Sequence, residues 1–176
     1  MSNIFQAIAD SIREDSRGGV SSHVYSIEAG VIGGALGGLA MVLVAVVYGL
    51  FSGKGVWYPV NLIAAAVIRG WQNAPPELFT QFNPTGLIFG AAIHLIISVI
   101  IGVLFALLLP TLPGPPFLWA FVVGPVLWFG AYFGVLPLVN PVMVRNIDLP
   151  SFFYAHVFYS FVLGWWLQRS PQIKVE

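Results

Sequence analysis

A chain of 176 residues that is 58% hydrophobic and only 8% charged cannot present a soluble surface, where about a quarter of residues carry charge. Seven basic residues balance seven acidic ones, which excludes a basic face for nucleic acid, and the absence of cysteine excludes a disulfide framework, a thiolate metal site and a cysteine nucleophile. With a mean hydropathy of +0.88 and no Asp, Glu, Lys or Arg between positions 78 and 144, the composition points to an all-α integral membrane protein.

Residues 1–28 form a polar N-terminal segment. Within it, residues 3–16 have the pattern of an amphipathic helix, with Ile4, Phe5, Ile8 and Ile12 opposed by Asp10, Arg13, Glu14 and Asp15. A transmembrane domain is expected over 29–169, followed by a polar tail at 170–176. The first span, 29–51, carries Gly30, Gly34 and Gly38 at four-residue steps, with Gly37 beside them. In a membrane such spacing lets two backbones approach closely, so a helix-packing face is expected there, toward this chain or another subunit. Residues 60–69 are too short an apolar run to cross and are read as an interfacial or re-entrant helix.

The second span, 85–109, lies between Pro84 and Pro110, contains no charge and would be roughly 37 Å long as a helix. His94, Ser98 and Gly102 fall on one stripe of it. The third span, 117–136, contains Pro125, where a kink is expected, and offers Gly130 and Gly134 as another close-packing pair. The fourth, 151–168, is short and aromatic and repeats the stripe as His156, Ser160 and Gly164. With four spans both termini share a side. Four basic residues there (Arg13, Arg17, Arg169, Lys174) against three opposite (Lys54, Arg69, Arg145) place the termini in the cytoplasm.

The order of signals repeats. G-V-x-x-x-V-N occurs at 55–61 and 134–140, an arginine follows at 69 and 145, and H-x-x-x-S-x-x-x-G occurs at 94–102 and 156–164. This predicts two repeated helical hairpins related by an axis along the membrane normal. The two histidines are then expected at similar depth and turned toward each other.

The chemistry available is narrow. No span holds a charged residue, no acid is placed to orient a histidine as in a hydrolase triad, and two histidines do not complete a zinc site. No catalytic or metal residue is assigned. The preferred reading of His94 and His156 is polar glue between helices, with no cofactor. The alternative is haem b with the two rings as axial ligands and Arg69 or Arg145 beside the propionates.

The four-span layout resembles a family of bacterial inner-membrane proteins typified by YagU. The likeness rests on HLIIS at 94–98 before a proline-limited turn, and on DLP at 148–150 running into a helix with His156 and paired aromatics that ends at Arg169. The resemblance implies a multi-pass protein of the bacterial inner (cytoplasmic) membrane and little chemistry.

The expected function is therefore that of a non-catalytic membrane subunit, packed with lipids and other membrane subunits in a respiratory or photosynthetic electron-transport complex. A haem b electron carrier and a small channel or transporter lined by the two stripes are the alternatives.

Overall fold

The structure, a computed structural model, describes residues 23–174. The amphipathic helix predicted at 3–16 lies outside the described residues. After a short strand, β1 (His23–Tyr25), the first long helix α1 (Ile27–Phe51) starts on Ser26, whose Oγ accepts a hydrogen bond from the Ala29 amide at 3.0 Å. A compact connection follows, built from α2 (Tyr58–Ala64), a 3₁₀ turn (Arg69–Asn73) and α3 (Glu77–Thr80). The second long helix, α4 (Pro84–Leu108), is capped by the Asn83 side chain on the Gly86 amide, with Pro84 fixing its first turn.

Helix α5 (Pro116–Phe129) runs through Pro125 into a π-helical stretch (Gly130–Val135) and on into α6 (Leu136–Val139). Two more helices complete the chain: α7 (Pro141–Asn146) and α8 (Leu149–Arg169), the latter capped by the Asp148 carboxylate on the Ser151 amide at 2.9 Å. A final strand, β2 (Gln172–Lys174), pairs antiparallel with β1, Val24 opposite Ile173. This pair corrects the all-α expectation and turns part of the predicted polar tail into structure. It also ties the start of α1 to the end of α8 at one end of the molecule.

The four long helices pack side by side in the order α4, α1, α8, α5. At the other end α2, α3, α7 and the 3₁₀ turn form a cap with its own apolar core of Tyr58, Leu62, Ala65, Phe79, Val142 and Met143. The predicted helix at 60–69 is thus shorter and earlier, because the chain leaves helical geometry after Ala64. Tyr58 is only 2% exposed inside this cap.

Three helical stretches are long and apolar enough to cross a membrane: Ile27–Phe51, Pro84–Thr111 and Pro116–Val139. Their burial is inverted relative to a soluble protein. Glycines point inward on α1, while Leu39, Leu43, Leu50, Ile88, Leu118 and Val126 are exposed, as a hydrocarbon solvent allows. Helix α8 is long but less apolar, since Tyr154, His156, Tyr159, Ser160 and Gln168 interrupt it. It is sandwiched between α1 and α5, so its polar atoms have protein partners to meet.

Candidate functional site

The glycines of α1 divide between two neighbours. Gly30, Gly34 and Gly38 face α4. A Cβ at Gly30 would stand 2.7 Å from the Val103 Cα, and one at Gly34 would stand 2.9 Å from the Val99 Cα. Gly102 returns the contact, its Cα side pressed against the backbone of Gly30 and Gly34. One residue earlier in each turn, Gly33 and Gly37 face α8, against Leu163, Trp166 and Tyr159. Removing Cβ atoms lets helix backbones touch, which gains dispersion contact where no hydrophobic force acts between helices.

Tyr159 exploits the gap at Gly37. Its hydroxyl passes α1 and donates to the Ser98 carbonyl of α4 at 2.6 Å. Trp166 Nε1 donates to the Ala29 carbonyl of α1 at 3.1 Å. The aromatic content of α8 therefore fastens three helices together.

The stripe of His156, Ser160 and Gly164 faces α5. A Cβ at Gly124 would meet the Ser160 Oγ at 2.5 Å and the Val157 Cα at 3.0 Å, and one at Gly164 would meet the Ala120 Cβ at 2.9 Å. Each stripe thus lies in the seam with the helix preceding it. Across the bundle the two imidazoles remain near enough to interact electrostatically. The rings also have separate partners. His94 Nε2 donates to the Gly38 carbonyl at 2.9 Å, and His156 Nδ1 donates to the Phe152 carbonyl of its own helix at 2.8 Å. A carbonyl only accepts, so the nitrogen in each bond carries the proton.

Each ring keeps one unprotonated nitrogen, Nδ1 of His94 and Nε2 of His156, and His94 lines the bundle's main cavity. Arg69 Nη1 is bonded to the Val139 carbonyl at 2.9 Å and Arg145 Nη2 to the Gln72 carbonyl at 2.7 Å. Ser98 is 3% exposed and Ser160 is fully buried. Among the described residues Gly130 and Gly134 pack against no helix, because a Cβ at either would meet nothing within 4 Å. They sit on the π-helical stretch, facing away from α8. The glycine of α5 that does pack is Gly124, which the four-residue step places on one face with Ala120 and which the tertiary structure sets against Ser160.

The repeated asparagines and arginines meet in the cap. Asn140 Nδ2 donates to the Leu62 carbonyl at 2.8 Å, and its Oδ1 accepts from Gln72 Nε2 at 3.1 Å. Gln72 Oε1 in turn accepts from the Val142 amide at 3.2 Å. Asn61, fully buried, donates to the Phe79 and Gln81 carbonyls at 2.9 and 2.8 Å. Its Oδ1 has no hydrogen-bond partner and abuts Gly86, where a larger residue has no room. Together with Arg69 and Arg145 these bonds clasp the 61–72 segment to the 139–145 segment.

Beneath the cap lies the main cavity, about 630 Å³, walled by α1 from Ala35 to Tyr48, the first turns of α4 and α8, and α2. Its origin is visible in α1. The glycine stripe facing α4 ends at Gly38, and the bulkier Met41, Val42 and Val46 hold the helices apart beyond it. His94 marks the inner end. At the outer end Lys54 lies against two of the wall residues, with Nζ 3.4 Å from the Tyr58 hydroxyl and 5.9 Å from the Tyr48 ring centre. Burial alone would push the Lys54 ammonium down, but the hydrogen bonds and charges of the Tyr48 and Tyr58 phenols outweigh it and the net shift is upward. Gly86, Gly90 and Gln72 did not stand out in the sequence, since each is defined by a neighbour distant along the chain.

Among the described residues no group of three or more His, Cys, Asp or Glu side chains could hold a metal ion. Comparison of the chain with protein-family models, with curated proteins and with solved structures returns no match.

Proposed function

We propose that the chain is a non-catalytic integral membrane subunit that packs into a larger assembly through α5, in the bacterial inner membrane with its termini in the cytoplasm. The observation that carries this reading is the bareness of α5. Only 6% of its membrane-length window is buried, against 28% for α1 and for α4. On that bare helix lie Gly130 and Gly134, a small-residue pair at one helical step with open space before them. The chain's other four-step glycines are filled by a neighbouring helix, so this pair suits a helix from a different subunit. A π-helical turn widens the backbone at the same place.

A purification in mild detergent tests it. The wild-type chain should run with a partner of fixed stoichiometry, and Gly130→Leu or Gly134→Leu should release that partner while leaving the chain's own unfolding within about 0.5 kcal/mol. A monodisperse free monomer from native membranes, or a partner indifferent to both substitutions, overturns the reading.

The reading includes four crossings arranged as two hairpins, α1 with α4 and α5 with α8. The pairing of β1 with β2 supports an even number of crossings. The matching stripes, each in the seam of its own hairpin, and the paired asparagines and arginines of the cap support a duplicated unit. Reporters fused after Glu176 and within residues 72–82 should report opposite sides of the membrane. Signals from the same side would remove α8 as a crossing.

A further inference from the structure

We propose that the cavity beneath the cap is a binding site for one anionic phospholipid, with an acyl chain in the apolar slot and the headgroup phosphate on Lys54. The slot runs along α1 from Gly38 to Tyr48, which is about 15 Å at the helical rise and matches one leaflet of a hydrocarbon core about 30 Å thick. Its walls are aliphatic, from Leu39, Val42, Val46, Leu87 and Ile63. Such a surface takes methylene groups and offers nothing to a polar solute. The volume, about 630 Å³, is of ligand size, and its walls include Leu39 and Val42 of α1 and Leu87 and Leu95 of α4, which are exposed to the surrounding lipid.

The outer end sets the headgroup. Lys54 stands there with its ammonium 4.6 Å from the Tyr58 ring centre, and among the described residues no carboxylate pairs with it. The ring faces and the Tyr58 hydroxyl hold the ammonium in place, and its raised pKa keeps it charged. The Tyr58 hydroxyl is itself fixed, donating to the Asn146 carbonyl at 3.0 Å. Trp57, on the same wall, suits the headgroup level. Asp148 also lines the cavity, but its carboxylate is engaged at the N-terminus of α8 on the Ser151 amide, where the helix dipole offsets its charge. A fixed cation over a one-leaflet apolar slot selects an anionic lipid over a zwitterionic one.

The proposal does not depend on a partner subunit. The test is native mass spectrometry of the full chain taken from vesicles of equal phosphatidylglycerol and phosphatidylcholine into mild detergent. One phosphatidylglycerol per chain should be retained in preference to phosphatidylcholine. Lys54→Gln should lower that preference roughly five-fold, and Lys54→Arg should keep it. Ala91→Trp, which fills the slot from α4, should abolish retention of both lipids, and Ala45→Phe fills it from α1 should the first variant fail to fold. Equal retention of the two lipids by wild type, or an unchanged preference in Lys54→Gln, overturns the headgroup assignment and with it the proposal. Retention that survives slot filling in a folded variant means annular lipid, and a retained free fatty acid means a different ligand; either result overturns it.

Discussion

Gly34→Leu is expected to cost about 3 kcal/mol or more in detergent, a large part of the ~5–15 kcal/mol that holds a typical domain together. The size follows from what the new side chain meets. A Cβ at position 34 would fall 2.9 Å from the Val99 Cα and 3.1 Å from the Ser98 carbonyl carbon, both of them backbone atoms of a packed helix. Backbone cannot rotate away as a side chain can, so α1 and α4 must separate, and the contacts at Gly30 and Gly102 separate with them. Gly102→Leu should do the same from the opposite side, and Gly124→Leu should open the α5–α8 seam. Gly33→Ala should be milder, because the atoms it meets, Leu163 Cδ1 at 2.8 Å and Trp166 Cδ1 at 2.9 Å, belong to side chains. Thermal unfolding followed by circular dichroism would rank the variants. If Gly34→Leu is no worse than Gly130→Leu, which meets open space, the seam is not where the structure puts it.

Asn140→Leu should loosen the cap by about 1–3 kcal/mol for each polar group left without a partner. The side chain is 1% exposed and holds two bonds that cross between the hairpins, to the Leu62 carbonyl and from Gln72. Leucine keeps the γ-branch but is bulkier, so the loss of hydrogen bonding is joined by some overpacking. Gln72 also donates to the Ala65 carbonyl at 2.6 Å and accepts from the Val142 amide, so its displacement would propagate through the clasp. The effect should be local. Amide hydrogen exchange should rise across residues 61–74 and 139–146, while the long helices keep their protection, because their seams share no atom with this network. Exchange that rises equally throughout would mean that cap and bundle unfold as one unit.

The helices themselves were legible because punctuation and composition act locally. Asn83 and Pro84 start α4 and Asp148 with Pro150 starts α8, and each does so through bonds within three residues. The small-residue stripes were legible as faces, since the helical period alone decides which side chains align. The cap network was half legible. Asn61 and Asn140 stood out through the repeated G-V-x-x-x-V-N, but Gln72, which ties Asn140 and Val142 to the Ala65 carbonyl, has no counterpart in the pattern.

By itself, then, the sequence determined that this is a helical membrane protein and which residues of each helix share a face, whereas of the four spans it predicts three appear as helices apolar and long enough to cross a membrane. Only the tertiary structure decided what each face meets. The helical period orients Gly33 and Gly34 toward different sides but cannot name the neighbours, which depend on α1 lying between α4 and α8. For the same reason Gly130 and Gly134 look identical in pattern to Gly30 and Gly34, yet no helix among the described residues covers them. The two histidine stripes, alike in spacing, were separated because each is filled by its own preceding helix. The cavity has the same origin: it is the space left where one glycine stripe ends at Gly38, and an ending acquires a volume only when a second helix diverges from it.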